Sequence, residues 1–142
     1  MSPPANPFTL APPSALSQTY TASCHCAAFT YTITTSPPLS HPSARISQCN
    51  CSICVKNGYL MIYPANTSVT FLTGSLAEFK SYTFGTNKIA HYFCGTCGAS
   101  CMARSVDPTF FPDMTCVNVR MFHGGEDVWK GVERRLADGA AL

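Results

Sequence analysis

Charged side chains are scarce in this sequence. Asp, Glu, Lys and Arg together supply 11% of its 142 residues, against roughly 25% in an ordinary soluble domain. The net charge is only +2, and the cations stand singly apart from Arg134 and Arg135. There is thus no basic stripe to follow a phosphate backbone, which argues against nucleic acid as a partner. A run of about 18 apolar residues, the minimum for a membrane span, is also lacking, so no membrane association is expected. The opening stretch MSPPANPFTLAPPSALSQTY has neither the basic start nor the compact apolar segment of a secretion signal, and a cytoplasmic location is expected. Helical periodicity is weak throughout. Its best candidate is GEDVWKG (125–131), where Asp127 would cap one turn before Gly131 ends it.

The length suits one domain with a core of its own. Residues 1–18 carry five prolines, which disfavour helix and central strand alike. They are read as a Pro-rich N-terminal arm, with residues 19–142 as the domain proper. There the signal is β. FTYTITT (29–35), YLMIYP (59–64), VTFLTG (69–74), AEFKSYTFG (77–85), NKIAHYFC (87–94) and MTCVNVRMF (114–122) are rich in β-branched and aromatic residues and bounded by Gly, Pro and Asn. In the last of these, Thr115, Val117, Val119 and Met121 share one side. VERRLAD (132–138) suits a final strand. The fold class is mainly β, with the cysteine clusters placed on turns between strands.

Nine cysteines are present, and a reducing compartment does not keep structural disulfides oxidised. Metal binding explains them better, because seven fall in tight clusters: Cys24 and Cys26; Cys49, Cys51 and Cys54; Cys94 and Cys97. A zinc ion binds each thiolate at about 2.3 Å, setting neighbouring sulfurs roughly 3.8 Å apart. The CGTC turn meets that spacing readily, with Gly95 and Gly98 making it permissive. Cys24 and Cys26 are its natural partners in a closed, structural site that joins the first strand to the middle of the sheet. A redox role for CGTC would need a strand, turn and long helix that this sequence does not offer.

Cys49, Cys51 and Cys54 leave one tetrahedral position open, and an open position distinguishes a catalytic zinc from a structural one. The fourth ligand would be water or substrate. Alternatively a protein group closes the site, and His25, His41, His91, His123, Cys101, Cys116, Asp107 and Asp113 are the candidates. Cys101 and Cys116 lie in strand-like apolar stretches and are read first as buried thiols. His25, His91 and His123 are candidates for carrying protons; none is singled out, and the proton carrier is unknown at this stage.

The order C-x-C, C-x-C-x-x-C and HYFCGTCGAS resembles the family of glutathione-dependent formaldehyde-activating enzymes and centromere protein V domains over about residues 20–123. The resemblance implies an Mss4-like fold of coiled antiparallel β-sheets with little helix, stapled by zinc. It implies two zinc ions per chain: a structural one on Cys24, Cys26, Cys94 and Cys97, and a catalytic one on Cys49, Cys51 and Cys54. It further implies a carbon-sulfur lyase that joins a small carbonyl substrate to a thiol such as glutathione, as in S-hydroxymethylglutathione formation. The Pro-rich arm and RMFHGG (120–125) depart from the family pattern. One alternative is a lyase, dehydratase or isomerase acting on a biosynthetic small molecule without glutathione, its pocket lined by residues such as Phe29, Tyr59, Met61 and Phe93. Another is a non-catalytic zinc-binding interaction module. The low surface charge leaves room for a homodimer.

Overall fold

The structure is a computed structural model that describes residues 16–141. The expected Pro-rich arm lies almost wholly outside the described residues. Ten strands form two sheets. β1 (Gln18–Ser23), β2 (Thr30–Thr35) and β5 (Val69–Thr73) make a three-stranded sheet in the order β1-β2-β5. The larger sheet contains β3 (Arg45–Cys49), β4 (Met61–Ile62), β6 (Lys80–Tyr82), β7 (Ile89–Phe93), β8 (Ser100–Ser105), β9 (Thr115–Asn118) and β10 (Glu133–Ala137), in the order β10-β3-β4-β9-β8-β7-β6. All pairings are antiparallel except that of β10 with β3, which is parallel. The fold is mainly β, as expected. Among the described residues no helix is long and apolar enough to cross a membrane.

The core lies between the two sheets. Tyr31 and Ile33 of β2 meet Ile46, Ile62, Met102 and Val117 of the larger sheet, all fully buried in one apolar cluster. Cross-strand partners share a face of a sheet, and residues two apart along a strand return to it. Ile62, Val117, Met102 and Tyr92 are successive partners across β4, β9, β8 and β7, and they define the core face. Ser47, Met61 and Asn118 form the neighbouring row across β3, β4 and β9. Cys116, Ala103, His91 and Tyr82 form another across β9, β8, β7 and β6. Both rows belong to the opposite face, and Cys49 lies two residues beyond Ser47 on it. One face is thus aliphatic; the other carries buried Ser47, Asn118 and His91.

That second face explains which strands the sequence concealed. β3 reads RISQC and β8 reads SCMARS; their alternate positions serve a polar surface, so neither shows a β-rich run. β1 reads QTYTAS and lies outside the expected strand segments, and the expected arm boundary at residue 18 falls on its first residue. Other segments shrink: 59–64 contains only Met61–Ile62 as strand, and 77–85 only Lys80–Tyr82. In 114–122 the strand ends at Asn118, whose side chain accepts a hydrogen bond from the Arg120 amide and opens a single turn of tight helix, Val119–Met121. The expected turn at 125–131 is a short 3-10 helix, Gly125–Val128. Its cap is Gly124 at φ 96° rather than Asp127, which instead pairs with Lys130 at 2.7 Å.

The only α-helix among the described residues, α1 (Ser52–Asn57), follows β3 directly. Six residues are too few for a periodic signal. It ends at Gly58, whose left-handed conformation (φ 63°) returns its amide to the Cys54 and Val55 carbonyls.

The packing yields a stability prediction. Ile62→Ala, at a fully buried position on the core face, should cost about 2–5 kcal/mol. Leu72→Ala, at an exposed one, should stay within about 0.5 kcal/mol. Urea denaturation of both variants checks this, and equal losses would contradict the assignment of faces.

Candidate metal centres

Cys24 and Cys26 occupy the turn between β1 and β2, and Cys94 and Cys97 the turn between β7 and β8. The four sulfurs lie within 4.8 Å of one another. Cys26 Sγ is 3.7 Å from Cys24 Sγ and 3.6 Å from Cys94 Sγ, close to the spacing around a tetrahedral zinc. Each turn closes on itself. The Ala27 amide donates to Cys24 O at 3.1 Å and the Gly98 amide to Cys94 O at 2.8 Å, with Ala27 at φ 64° and Gly98 at φ 79°. Backbone amides also point at sulfur: Phe29 N at Cys24 Sγ (3.4 Å), and Thr96 N and Cys97 N at Cys94 Sγ (3.4 and 3.5 Å).

These donors favour thiolate. The amides of Ala99 and then Cys26 draw Cys97 down to about 6, and the Cys97 amide leads those that lower Cys94. The Ala28 amide does the same for Cys26, but the neighbouring thiols, Cys94 foremost, and burial outweigh it and push Cys26 up to about 11. Donors arranged for several thiolates, with mutual repulsion preventing all from ionising, are what a bound cation would satisfy. The position of the group corrects one expectation. The first strand belongs to the smaller sheet, so the four sulfurs join the two sheets rather than two parts of one.

The remaining three clustered cysteines also converge, though not on a turn between strands. Cys49 ends β3, Cys51 is the residue before α1, and Cys54 lies in its first turn. Their sulfurs lie within 4.8 Å of one another, and all three residues are half-buried. The Cys51 amide donates to Cys49 Sγ at 3.5 Å. Burial works to raise the Cys51 thiol, but hydrogen bonds from the Cys54 thiol and from the Cys54 and Ile53 amides bring it below its ordinary value. Burial, then the neighbouring Cys51 thiol, drives Cys54 strongly upward. Among the described residues no fourth His, Cys, Asp or Glu joins the group.

None of the candidates for a fourth ligand joins the three sulfurs. His25 is exposed between two sulfurs of the other group. His41 Nδ1 lies 2.8 Å from Ser43 Oγ, and His123 Nε2 lies 2.9 Å from Ser23 Oγ. Asp107 accepts from the Thr109 hydroxyl and amide, while Asp113 gives its carbonyl to the Asn66 amide. Cys101 is buried beside Ala99 O. Cys116 is half-buried, its thiol pushed up to about 12 by burial. His91 is tied to Tyr59 at 3.2 Å. The residues expected to line a pocket divide: Tyr59 and Met61 fall on the side of Cys49, whereas Phe29 stacks on Phe79 in the core at 3.8 Å. Phe93 pairs with Lys80 at the end of β7.

Two residues that sequence reasoning passed over flank the three-sulfur group. Asn50, between two of the cysteines, fastens the C-terminal segment. Its amide donates to Ala137 O at 3.0 Å, its Nδ2 to Asp138 Oδ1 at 2.8 Å, and its Oδ1 accepts from Ala140 N at 2.9 Å. That clamp presses Gly139 against the sulfurs, so that a Cβ there would collide with Cys49 Sγ and come within 3.1 Å of Cys51 Cβ. The position of Asn50 inside C-N-C was a usable signal; Gly139, some ninety residues away in sequence, offered none.

Gly139→Ala should therefore weaken metal retention by Cys49, Cys51 and Cys54 at least about tenfold, the lower end of what displaced supporting groups cost a metal site. The four-cysteine group should be untouched. Competition with a chromophoric chelator measures both, and unchanged retention at the three-sulfur group would contradict the contact.

A crystal structure of a Rhodobacter sphaeroides protein is similar to this chain, with a TM-score of 0.62 and 25% sequence identity over 80% of this chain and 97% of that one. The sequence model of the family described as glutathione-dependent formaldehyde-activating enzyme matches residues 19–134. That span contains both sulfur groups, and the chain belongs to this family.

Proposed function

We propose that this chain is a zinc-dependent lyase of the carbon-sulfur type, joining a carbonyl substrate to a thiol, with glutathione as the first thiol to test. The carrying observation is the unequal completion of the two sulfur groups. Cys24, Cys26, Cys94 and Cys97 would hold a structural zinc in a full set of ligands. Cys49, Cys51 and Cys54 would hold a second one with a position left for substrate. Zinc held by the three sulfurs would lower the pKa of a thiol or hydroxyl at the open position and polarise a carbonyl beside it.

The protein's own part is placement. β3 and α1 fix the three sulfurs, and Asn50 holds residues 137–140 as a wall on one side. The buried polar face carrying Ser47, Asn118 and His91 extends from Cys49 into the sheet. A face of that kind has little purpose in an interaction module, where recognition belongs on the surface.

Cys54→Ser should abolish turnover of formaldehyde with glutathione and reduce bound zinc from two equivalents to one, leaving the circular dichroism spectrum unchanged. Full activity in that variant would refute the assignment. Wild-type turnover of a larger carbonyl compound without any thiol would move the reading to a glutathione-independent lyase or isomerase on the same centre.

A further inference from the structure

Joining a thiol to a carbonyl moves a proton from sulfur to oxygen: the S–H bond breaks, a C–S bond forms, and the carbonyl oxygen gains an O–H bond. A group that takes the proton and returns it serves both halves of the reaction. The sulfurs of the three-cysteine group are unsuited to this if they hold a metal, so the carrier must lie near them on the same face.

Four histidines are present, and their places in the fold separate them. His25 is exposed in the other sulfur group, and His41 and His123, bonded to Ser43 and Ser23, line a groove that does not include Cys49. His91 alone lies on the polar face of the larger sheet that carries Cys49, one strand from Ala103 and two from Cys116. It is buried, and rings cover it on two sides: Tyr59 at 5.8 Å between centroids and Phe84 at 5.7 Å, both nearly parallel to it. Its Nδ1 lies 3.2 Å from the Tyr59 hydroxyl. Tyr59 in turn follows α1, its amide donating to Cys54 O at 3.0 Å, and it lies two residues before Met61, the cross-strand partner of Ser47 on the face that carries Cys49.

We propose that Tyr59 and His91 form the proton relay of the three-sulfur centre, Tyr59 as the catalytic hydroxyl facing substrate and His91 as the group behind it that stores the proton. This rests on the lyase reading above. The substrate thiol gives its proton to the Tyr59 oxygen, directly or through one water, as the phenol passes its own proton to His91 Nδ1. The reverse transfer delivers a proton to the new alkoxide. No electrons change hands and no co-reactant is consumed. The relay requires neutral His91 with its proton on Nε2, leaving Nδ1 to accept.

Burial lowers the pKa of His91 below its ordinary value, which keeps it neutral near pH 7 and makes the stored proton easy to return. The titratable groups facing it are Tyr59, Tyr82 from β6 and, beyond Ala103, Cys116 from β9. Phe84 covers its other side. The sign follows: the rate should fall on the acid side as His91 becomes charged, with an apparent pKa below about 6.5.

The test combines two readings. Nitrogen-15 NMR of the wild-type protein should show the Nε2–H tautomer of His91 at pH 7, independent of any turnover. Tyr59→Phe and His91→Gln should each lower kcat about 100-fold, with KM little changed, zinc content intact and the acid limb of the pH profile lost. The double variant should be no worse than either single one, since both act on one path. An Nδ1–H tautomer, or variants that retain the wild-type rate and acid limb, would overturn the relay while leaving the lyase reading in place. Absence of wild-type turnover with any carbonyl and thiol pair would overturn both.

Discussion

Thiolates repel, and this chain crowds its cysteine sulfurs into two groups. At about 4 Å, a pair of unit charges costs roughly 4 kcal/mol at an effective dielectric constant near 20. Here four sulfurs lie within 4.8 Å of one another in one place and three in another. Backbone amides offset part of that repulsion at Cys94, Cys97 and Cys51, but Cys26 and Cys54 remain pushed towards the protonated form. A cation at each group would resolve the conflict, and the two groups sit at joints of the architecture. One group ties the smaller sheet to the larger. The other fixes where β3 ends, where α1 begins and how the C-terminal segment closes over both.

The same constraint divides the larger sheet into two chemistries. Its core face is aliphatic, with Ile62, Val117 and Met102 packed against Tyr31 and Ile33 of the smaller sheet. Its other face is buried as well, yet it carries Ser47, Asn118 and His91. Polar side chains are costly to bury without partners. Asn118 meets that cost by donating to Ser100 O at 3.0 Å and accepting from the Arg120 amide at 3.2 Å, and His91 by its contact with Tyr59. Such a surface gains little stability over an aliphatic one. In the proposed reading its value is chemical, because it places the His91 ring on the side of the sheet where the three sulfurs converge.

The sulfur groups were legible in the sequence because C-x-C and C-x-x-C are short-range patterns whose geometry is set within a turn. The pairing of Cys24 and Cys26 with Cys94 and Cys97 was also legible, since two incomplete pairs complete one tetrahedron. β2, β5, β7 and β9 announced themselves through Thr, Val, Ile, Tyr and Phe. β3 and β8 did not, because half of each serves the polar face. α1 was too short for periodicity. Asn50 reaches residues 137–140, and Gly139 reaches Cys49 and Cys51, only through the parallel pairing of β10 with β3, a long-range contact that no local pattern encodes. His25, His91 and His123 looked equivalent as proton carriers in sequence, and strand register together with the contact to Tyr59 separates His91 from the others.

The most direct test of the account is zinc content in protein purified without added metal, measured before and after brief exposure to a mild chelator. Two zinc ions falling to one with the fold retained is the predicted result, the labile ion being that of Cys49, Cys51 and Cys54 and its loss being prevented by competing thiol substrate. A single zinc that never leaves, with added metal failing to restore a second, would contradict the claim that the three-sulfur group is an open zinc centre.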